Sequence, residues 1–175
     1  MFKLLRLIVL VGVIAVGAIG FVRLLPDSPP LPEGAKADKI LVLKGERKLV
    51  LLKRDIPLKT YEVALGWSPE GHKVQEGDGK TPEGDYLIDW RKPDSSFHRA
   101  LHISYPNAAD KDHARKLGVS PGGAIMIHGM RNGAGWIGKL HRFADWTNGC
   151  IAVTDPEIRE IWRAVPNGTP IEIRP

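Results

Sequence analysis

The sequence predicts a mostly-β domain, a sandwich or barrel with one or two short helices, behind an N-terminal transmembrane or signal helix. Two observations predict the domain. Short apolar runs alternate with Gly, Pro, Asn and Asp clusters, and only residues 107–117 and 155–165 have helical character. A third predicts the segment ahead of it: residues 7–22 read LIVLVGVIAVGAIGFV, without one charge.

Taken in order, Lys39–Lys44 (KILVLK) and Lys48–Lys53 (KLVLLK) are apolar runs with charged ends, and Gly45-Glu46-Arg47 fits a hairpin between them. Leu58–Ala64 (LKTYEVA) alternates as a third strand. Gly66–Gly84 is a long, Gly-rich, charged loop, and a loop of that length inside a compact domain is usually functional. Asp85–Trp90 and Ala100–Ser104 read as strands, Asn107–Leu117 as a short helix, and Ala124–His128 (AIMIH) as a buried strand. Asp155-Pro156-Glu157 opens a helix, with Asp155 as N-cap, Pro156 at the first helical position and Ile158, Ile161 and Trp162 at helical spacing. Pro166-Asn167-Gly168 stops it, and Pro170–Ile173 forms a last strand.

Composition bounds the function. Of 175 residues, 43% are hydrophobic and 26% charged, which excludes a wholly disordered chain. The net charge of +5 is concentrated at the start: the first 25 residues hold Lys3, Arg6 and Arg23 and no acid, leaving 22 basic against 20 acidic groups elsewhere. No run of Lys and Arg interleaved with aromatics marks a nucleic-acid partner.

Residues 7–22 span about 24 Å as a helix, somewhat short of a hydrocarbon core of about 30 Å; flanking leucines at 4, 5, 24 and 25 extend them. Two readings stand: an uncleaved anchor in the cytoplasmic membrane through residues 4–25, or a cleaved signal peptide with small residues at Val16-Gly17-Ala18 and Ala18-Ile19-Gly20. Both place the rest of the chain in the periplasm or cell envelope. The organisation expected is a signal segment over 1–25, a Pro-rich linker over 26–36 and a folded, monomeric domain over 37–175.

The chain has a single cysteine, Cys150. Structural cysteines outside the cytoplasm are usually paired, so Cys150 is inert and buried, pairs between chains, or is a working thiol. Gly149 before it permits a tight turn with uncovered N–H groups, as an oxyanion hole requires. A thiol needs a base, usually histidine. His72, His98 and His113 sit among loops and charges and read as solvated; His102 lies in a strand. His128 ends an apolar strand beside Gly129 and is placed to face a cleft; His141 lies nine residues before Cys150.

Ile127-His128-Gly129 followed by Thr147-Asn148-Gly149-Cys150 resembles the L,D-transpeptidase catalytic domain (YkuD-type) of bacterial cell-wall enzymes, in a variant form with Asp145-Trp146-Thr147 before the Gly-Cys. Glu76–Gly84 (EGDGKTPEG) is similar to that family's Gly-rich segment, and the resemblance runs from Ile40 to Ile173. Departures fall at Asn148, where the family often has His, at Ala152, where it often has Arg or Asn, and in the 22 positions from His128 to Cys150, several more than usual. The extra residues fall in 132–146, as a lid or substrate-specific loop, and keep His141 open as an alternative base.

The resemblance implies that Cys150 attacks the carbonyl of the third residue of a peptidoglycan stem tetrapeptide. His128 takes the thiol proton and returns it to the leaving D-alanine. N–H groups near Gly149 and Cys150, with Asn148, Thr147 and Gly129, position the oxyanion. An amine then resolves the thioester; water gives a murein amidase or L,D-carboxypeptidase instead. Arg131, Lys139 and Arg142 in the expanded loop, with His141, are candidates to meet substrate carboxylates, the alternative for the basic residues being a solvated basic face. No cofactor or metal is expected, since no His-x-x-x-His or second cysteine supports a zinc site. A non-catalytic wall-binding module is the third reading.

Overall fold

Ile40 and Val42 point to one face of the first strand and are fully buried, while Lys39, Leu41 and Leu43 on the other face are half-buried. That alternation runs through a computed structural model that describes residues 29–175. The expected membrane or signal segment lies outside the described residues. Among those described, no helix is long and apolar enough to cross a membrane.

The strands are β1 (Lys39–Leu43), β2 (Lys48–Lys53), β3 (Ile56–Glu62), β4 (Gly84–Ser95), β5 (His98–Ile103), β6 (Met126–His128), β7 (Ile151–Ala152) and β8 (Pro170–Arg174). Helix α1 spans Ala108–Lys116, α2 spans Asp155–Ala164, and a kinked 3-10 segment spans Gly135–Phe143. The eight strands form one sheet in the order β3-β2-β1-β8-β4-β5-β6-β7. β1 pairs parallel with β8 and β6 parallel with β7; the other pairings are antiparallel. The chain after β3 then reaches the opposite edge: Ala64 bridges Ala152 and Gly66 bridges Thr147. The mostly-β expectation therefore resolves into one sheet whose two edges meet, with β4, bulged against β5, turning the corner.

The core inside this curl includes Ile40, Leu51, Ile88, Leu101, Ile127 and Ile151. Helix α2 closes one side with Ile158 and Ile161, both fully buried. Its N-cap is Thr154 rather than the expected Asp155: the Thr154 N–H and hydroxyl donate to Glu157 Oε2 at 2.9 and 2.7 Å. Asp155 is thereby freed to accept the Met130 N–H at 2.8 Å, tying α2 to the chain just past β6. At the other end, Lys36 Nζ and Arg91 Nη2 donate to the Arg163 and Trp162 carbonyls, satisfying groups a helix C-terminus leaves open. Part of the expected linker thus lies against the domain, with Leu31 buried in the core.

Candidate functional site

β6 and β7 run side by side in parallel, with His128 opposite Ala152. Cys150 precedes β7 by one residue and stands two positions before His128's partner, so the pleat turns both side chains to one face. Strand spacing and rise put their Cα atoms about 8 Å apart, which an imidazole and a thiol can bridge.

His128 is buried, packed against the Phe97 ring at 4.6 Å and edge-on to Trp146 at 5.9 Å. Its Nδ1 lies 2.7 Å from the Gly129 carbonyl, which can only accept. Nδ1 therefore carries the hydrogen and Nε2 is left with the lone pair. Burial lowers the His128 pKa, opposed by that carbonyl. Gly129 is required here: a Cβ would lie 2.7 Å from Asp155 Oδ1 and 3.0 Å from Ile158 Cγ2.

Cys150 is a free, half-buried cysteine, its sulfur 3.7 Å from the Ala124 carbonyl. Burial pushes the thiol pKa up, against the Met126 N–H and the charge of Lys73. Thiol and imidazole are both driven toward their neutral forms, so at rest Cys150 is S–H and His128 a neutral imidazole.

The turn before Cys150 is held from within. Thr147 Oγ1 accepts the Gly149 N–H at 3.1 Å and donates to the Cys150 carbonyl at 2.7 Å. The Gly149 N–H is thus engaged by Thr147, while Asn148 is exposed. Gly149 takes φ +123°, and a Cβ there would sit 2.5 Å from the Lys80 carbonyl oxygen. The backbone of the Gly-rich loop lies directly against the cysteine turn.

That loop is fixed by a satisfied polar network. Asp78 accepts N–H groups from Val74, Gln75 and Lys80 and pairs with buried Lys73 at 2.7 Å. These bonds hold the Asp78 pKa down against its burial. Buried Lys44 donates to Gly71, Thr81 and Glu83, and Thr81 Oγ1 accepts the Gly66 N–H. His72, expected to be solvated, accepts the Glu83 N–H and meets Asp110 at 3.1 Å; the loop folds back on α1, a contact no local pattern announces. His98, also read as solvated, is half-buried with Nε2 3.1 Å from Arg159; His113 is exposed.

The segment 131–146 is built differently. Arg131 is exposed and Lys139 half-buried. Arg142 is drawn from any substrate by Glu62 at 3.0 Å and Glu157 at 2.6 Å. His141 is 6% exposed, yet among the described residues neither ring nitrogen has a hydrogen-bond partner, and the same holds for buried Trp146 Nε1. Burial, the Arg142 charge and His128 press the His141 pKa down to about 4, against the pull of Glu157. Trp136 and Phe143 point outward.

The structure thus gathers His128, Cys150, Gly149, Thr147 and Gly129 with the His141–Trp146 pair, and leaves Arg131 outside. Phe97 and Lys73 belong to the site or its support without a sequence signal of their own, whereas Asp78 lies in the Gly-rich motif and Trp146 in the Asp-Trp-Thr-Asn-Gly-Cys stretch. Among the described residues no group of three or more His, Cys, Asp or Glu could hold a metal. A cleft of about 470 Å³ lies elsewhere, between Leu31–Lys36 and the end of α2.

A family model for the L,D-transpeptidase catalytic domain, YkuD, matches residues 37–173. The chain is 32% identical over 111 residues to a protein of Escherichia coli (strain K12) named "Putative L,D-transpeptidase YafK", over 62% of this chain and 37% of that one. It therefore spans little more than a third of that curated relative. Among solved structures it is similar to the helical cell shape determining protein Pgp2 from Campylobacter jejuni (TM-score 0.61, 22% identity, 81% of this chain, 48% of that one). It is also similar to Bdellovibrio bacteriovorus Bd1075 (TM-score 0.56, 27% identity, 83% of this chain, 50% of that one). The Pgp2 likeness is one of fold.

Proposed function

Because this chain belongs to the YkuD family of L,D-transpeptidase catalytic domains, we propose that it transfers the acyl group of a peptidoglycan stem tetrapeptide through a thioester on Cys150. The observation that carries the reading is the β6–β7 register, which sets a histidine with a free Nε2 lone pair and an unpaired thiol on one face.

The thiol is neutral at rest, so its proton leaves as it attacks. Cys150 Sγ adds to the carbonyl carbon of the third stem residue while His128 Nε2 takes the thiol proton. The Cys150 N–H, next to a Gly149 N–H already bonded to Thr147, faces the developing oxyanion. Collapse breaks the C–N bond, and His128 returns the proton to the departing D-alanine amine. An acceptor amine then attacks the thioester, gives its proton to His128, and releases Cys150.

We assign residues 1–25 to a membrane anchor or signal peptide, 26–36 to a linker and 37–175 to the catalytic domain, working in the cell envelope. Pgp2 of Campylobacter jejuni is a cell-shape determining protein, which suits such a role at the wall. Fractionation with N-terminal sequencing tests the location: a soluble protein beginning near Ile19 or Phe21 removes the anchor.

The chemistry is tested by chromatography of products from stem tetrapeptide with and without an amine acceptor. Wild type should release D-alanine and, with acceptor, form a new amide. His128→Ala should slow this about 10²–10⁴-fold, the usual weight of general acid–base catalysis. An equal or larger loss in His141→Ala would move the base to the 131–146 segment.

A further inference from the structure

Three polar atoms near His128 have no hydrogen-bond partner among the described residues: both ring nitrogens of His141 and the indole Nε1 of Trp146. They belong together. The Trp146 ring stands edge-on to His141 at 6.4 Å and edge-on to His128 at 5.9 Å, so one indole joins the two imidazoles. An unsatisfied buried polar atom costs about 1–3 kcal/mol, and three in one cluster point to a ligand.

The chemistry of the set selects the ligand. His141, buried and beside the Arg142 guanidinium, is a neutral imidazole with one N–H and one lone pair. Trp146 adds a second N–H. The cluster therefore offers two donors and one acceptor and no formal charge. A carboxylate offers acceptors only and leaves the imidazole lone pair unmatched. A neutral amine about to attack a thioester must aim its single lone pair at the carbonyl carbon, so it cannot also accept from an N–H. One water can accept the indole N–H with one lone pair, donate one hydrogen to the imidazole lone pair, and keep its second lone pair free for attack, while the remaining imidazole N–H is left for a neighbouring water.

We propose that His141, with the indole N–H of Trp146, is a positioning residue that holds the water resolving the Cys150 thioester, so that hydrolysis competes with transfer to an amine. The inference rests on the thioester reading above. In the step, the water oxygen bonds to the thioester carbonyl carbon and its proton passes to His128 Nε2. The C–S bond then breaks, His128 protonates the departing Cys150 thiolate, and the product leaves as a carboxylic acid.

The full chain is incubated with stem tetrapeptide, and intact mass follows the Cys150 adduct over time, with and without glycine as amine acceptor. In wild type the adduct forms and decays without glycine. His141→Leu should form it at a rate within about twofold of wild type and lose it at least about tenfold more slowly, the scale of a misplaced reactant. The ratio of hydrolysis to glycine transfer should fall by the same factor. Trp146→Phe, which keeps the ring and removes the N–H, should lower the ratio about threefold and decides the matter if the Leu variant fails to fold; His141→Gln should recover part of it. An unchanged ratio in both His141→Leu and Trp146→Phe overturns the proposal, as does parallel slowing of adduct formation and decay. No adduct in wild type overturns the thioester reading itself, and this inference with it.

Discussion

Two loops flank Cys150 and are built in opposite ways. In Gly66–Gly84 the principal polar groups are matched: Asp78 holds three N–H groups and Lys73, and Lys44 reaches three acceptors. In 131–146 the buried polar atoms of His141 and Trp146, and Arg142 Nε, have no hydrogen-bond partner among the described residues, while Trp136 and Phe143 face outward. A satisfied network is rigid and specifies one geometry; an unsatisfied one is poised to gain from a ligand. The first loop is a buttress for the cysteine turn, and the second holds the polar atoms to which we assign the resolving water.

The contrast breaks most sharply at the junction of the buttress with the turn. Gly149→Ala puts a Cβ 2.5 Å from the Lys80 carbonyl at φ +123°, so activity should vanish and stability fall by at least about 2 kcal/mol in urea unfolding. Wild-type stability in that variant would mean that the two backbones do not touch. Next, Asp78→Ala leaves Lys73 charged and 3% exposed with its carboxylate gone, at a cost of about 3 kcal/mol. Arg142→Ala removes two ion pairs of a side chain that is 15% exposed in a segment of looser construction, and should cost about 1 kcal/mol. Trp136→Ala, at 73% exposure, should leave the unfolding free energy in urea within about 0.5 kcal/mol of wild type. An equal cost for Asp78→Ala and Trp136→Ala would erase the distinction between the loops.

The same contrast has a pH signature. His141 is neutral in the folded protein with a pKa of about 4 against an ordinary 6.5. Between those values the unfolded chain binds the proton more readily, so stability is complete above pH 6.5 and falls as pH drops toward 4. Melting temperatures from pH 7 to 4 should show this fall, and His141→Leu should flatten part of it. Activity should rise with pH as His128 deprotonates below 6.5, since burial lowers its pKa too.

Local signals in the sequence reach as far as the buttress and stop short of the second loop. The KILVLK and KLVLLK runs with Gly45-Glu46-Arg47 fix the β1–β2 hairpin because pairing there is local. The helix over 155–164 is legible from its apolar spacing, but its cap shifts to Thr154 because Glu157 answers it and Asp155 has a tertiary partner. The meeting of sheet edges at Ala64 and Ala152 depends on a pairing across 88 positions, which no local pattern encodes. The 3-10 segment, kinked at Gly138, has no helical period to read. At the site, AIMIH and the glycine before Cys150 mark where chemistry is plausible. That β6 and β7 lie parallel, and that His141 is buried without a hydrogen-bond partner among the described residues, follow only from the assembled sheet.

The central claim is that Cys150 carries the acyl group, and intact mass spectrometry after mixing with stem tetrapeptide tests it most directly. A covalent adduct of the acyl tripeptide is expected on wild type, with D-alanine released in at least equal amount, and neither is expected from a folded Cys150→Ala variant. Turnover retained by Cys150→Ala, or turnover in wild type that is lost in no Cys150 variant, would contradict it.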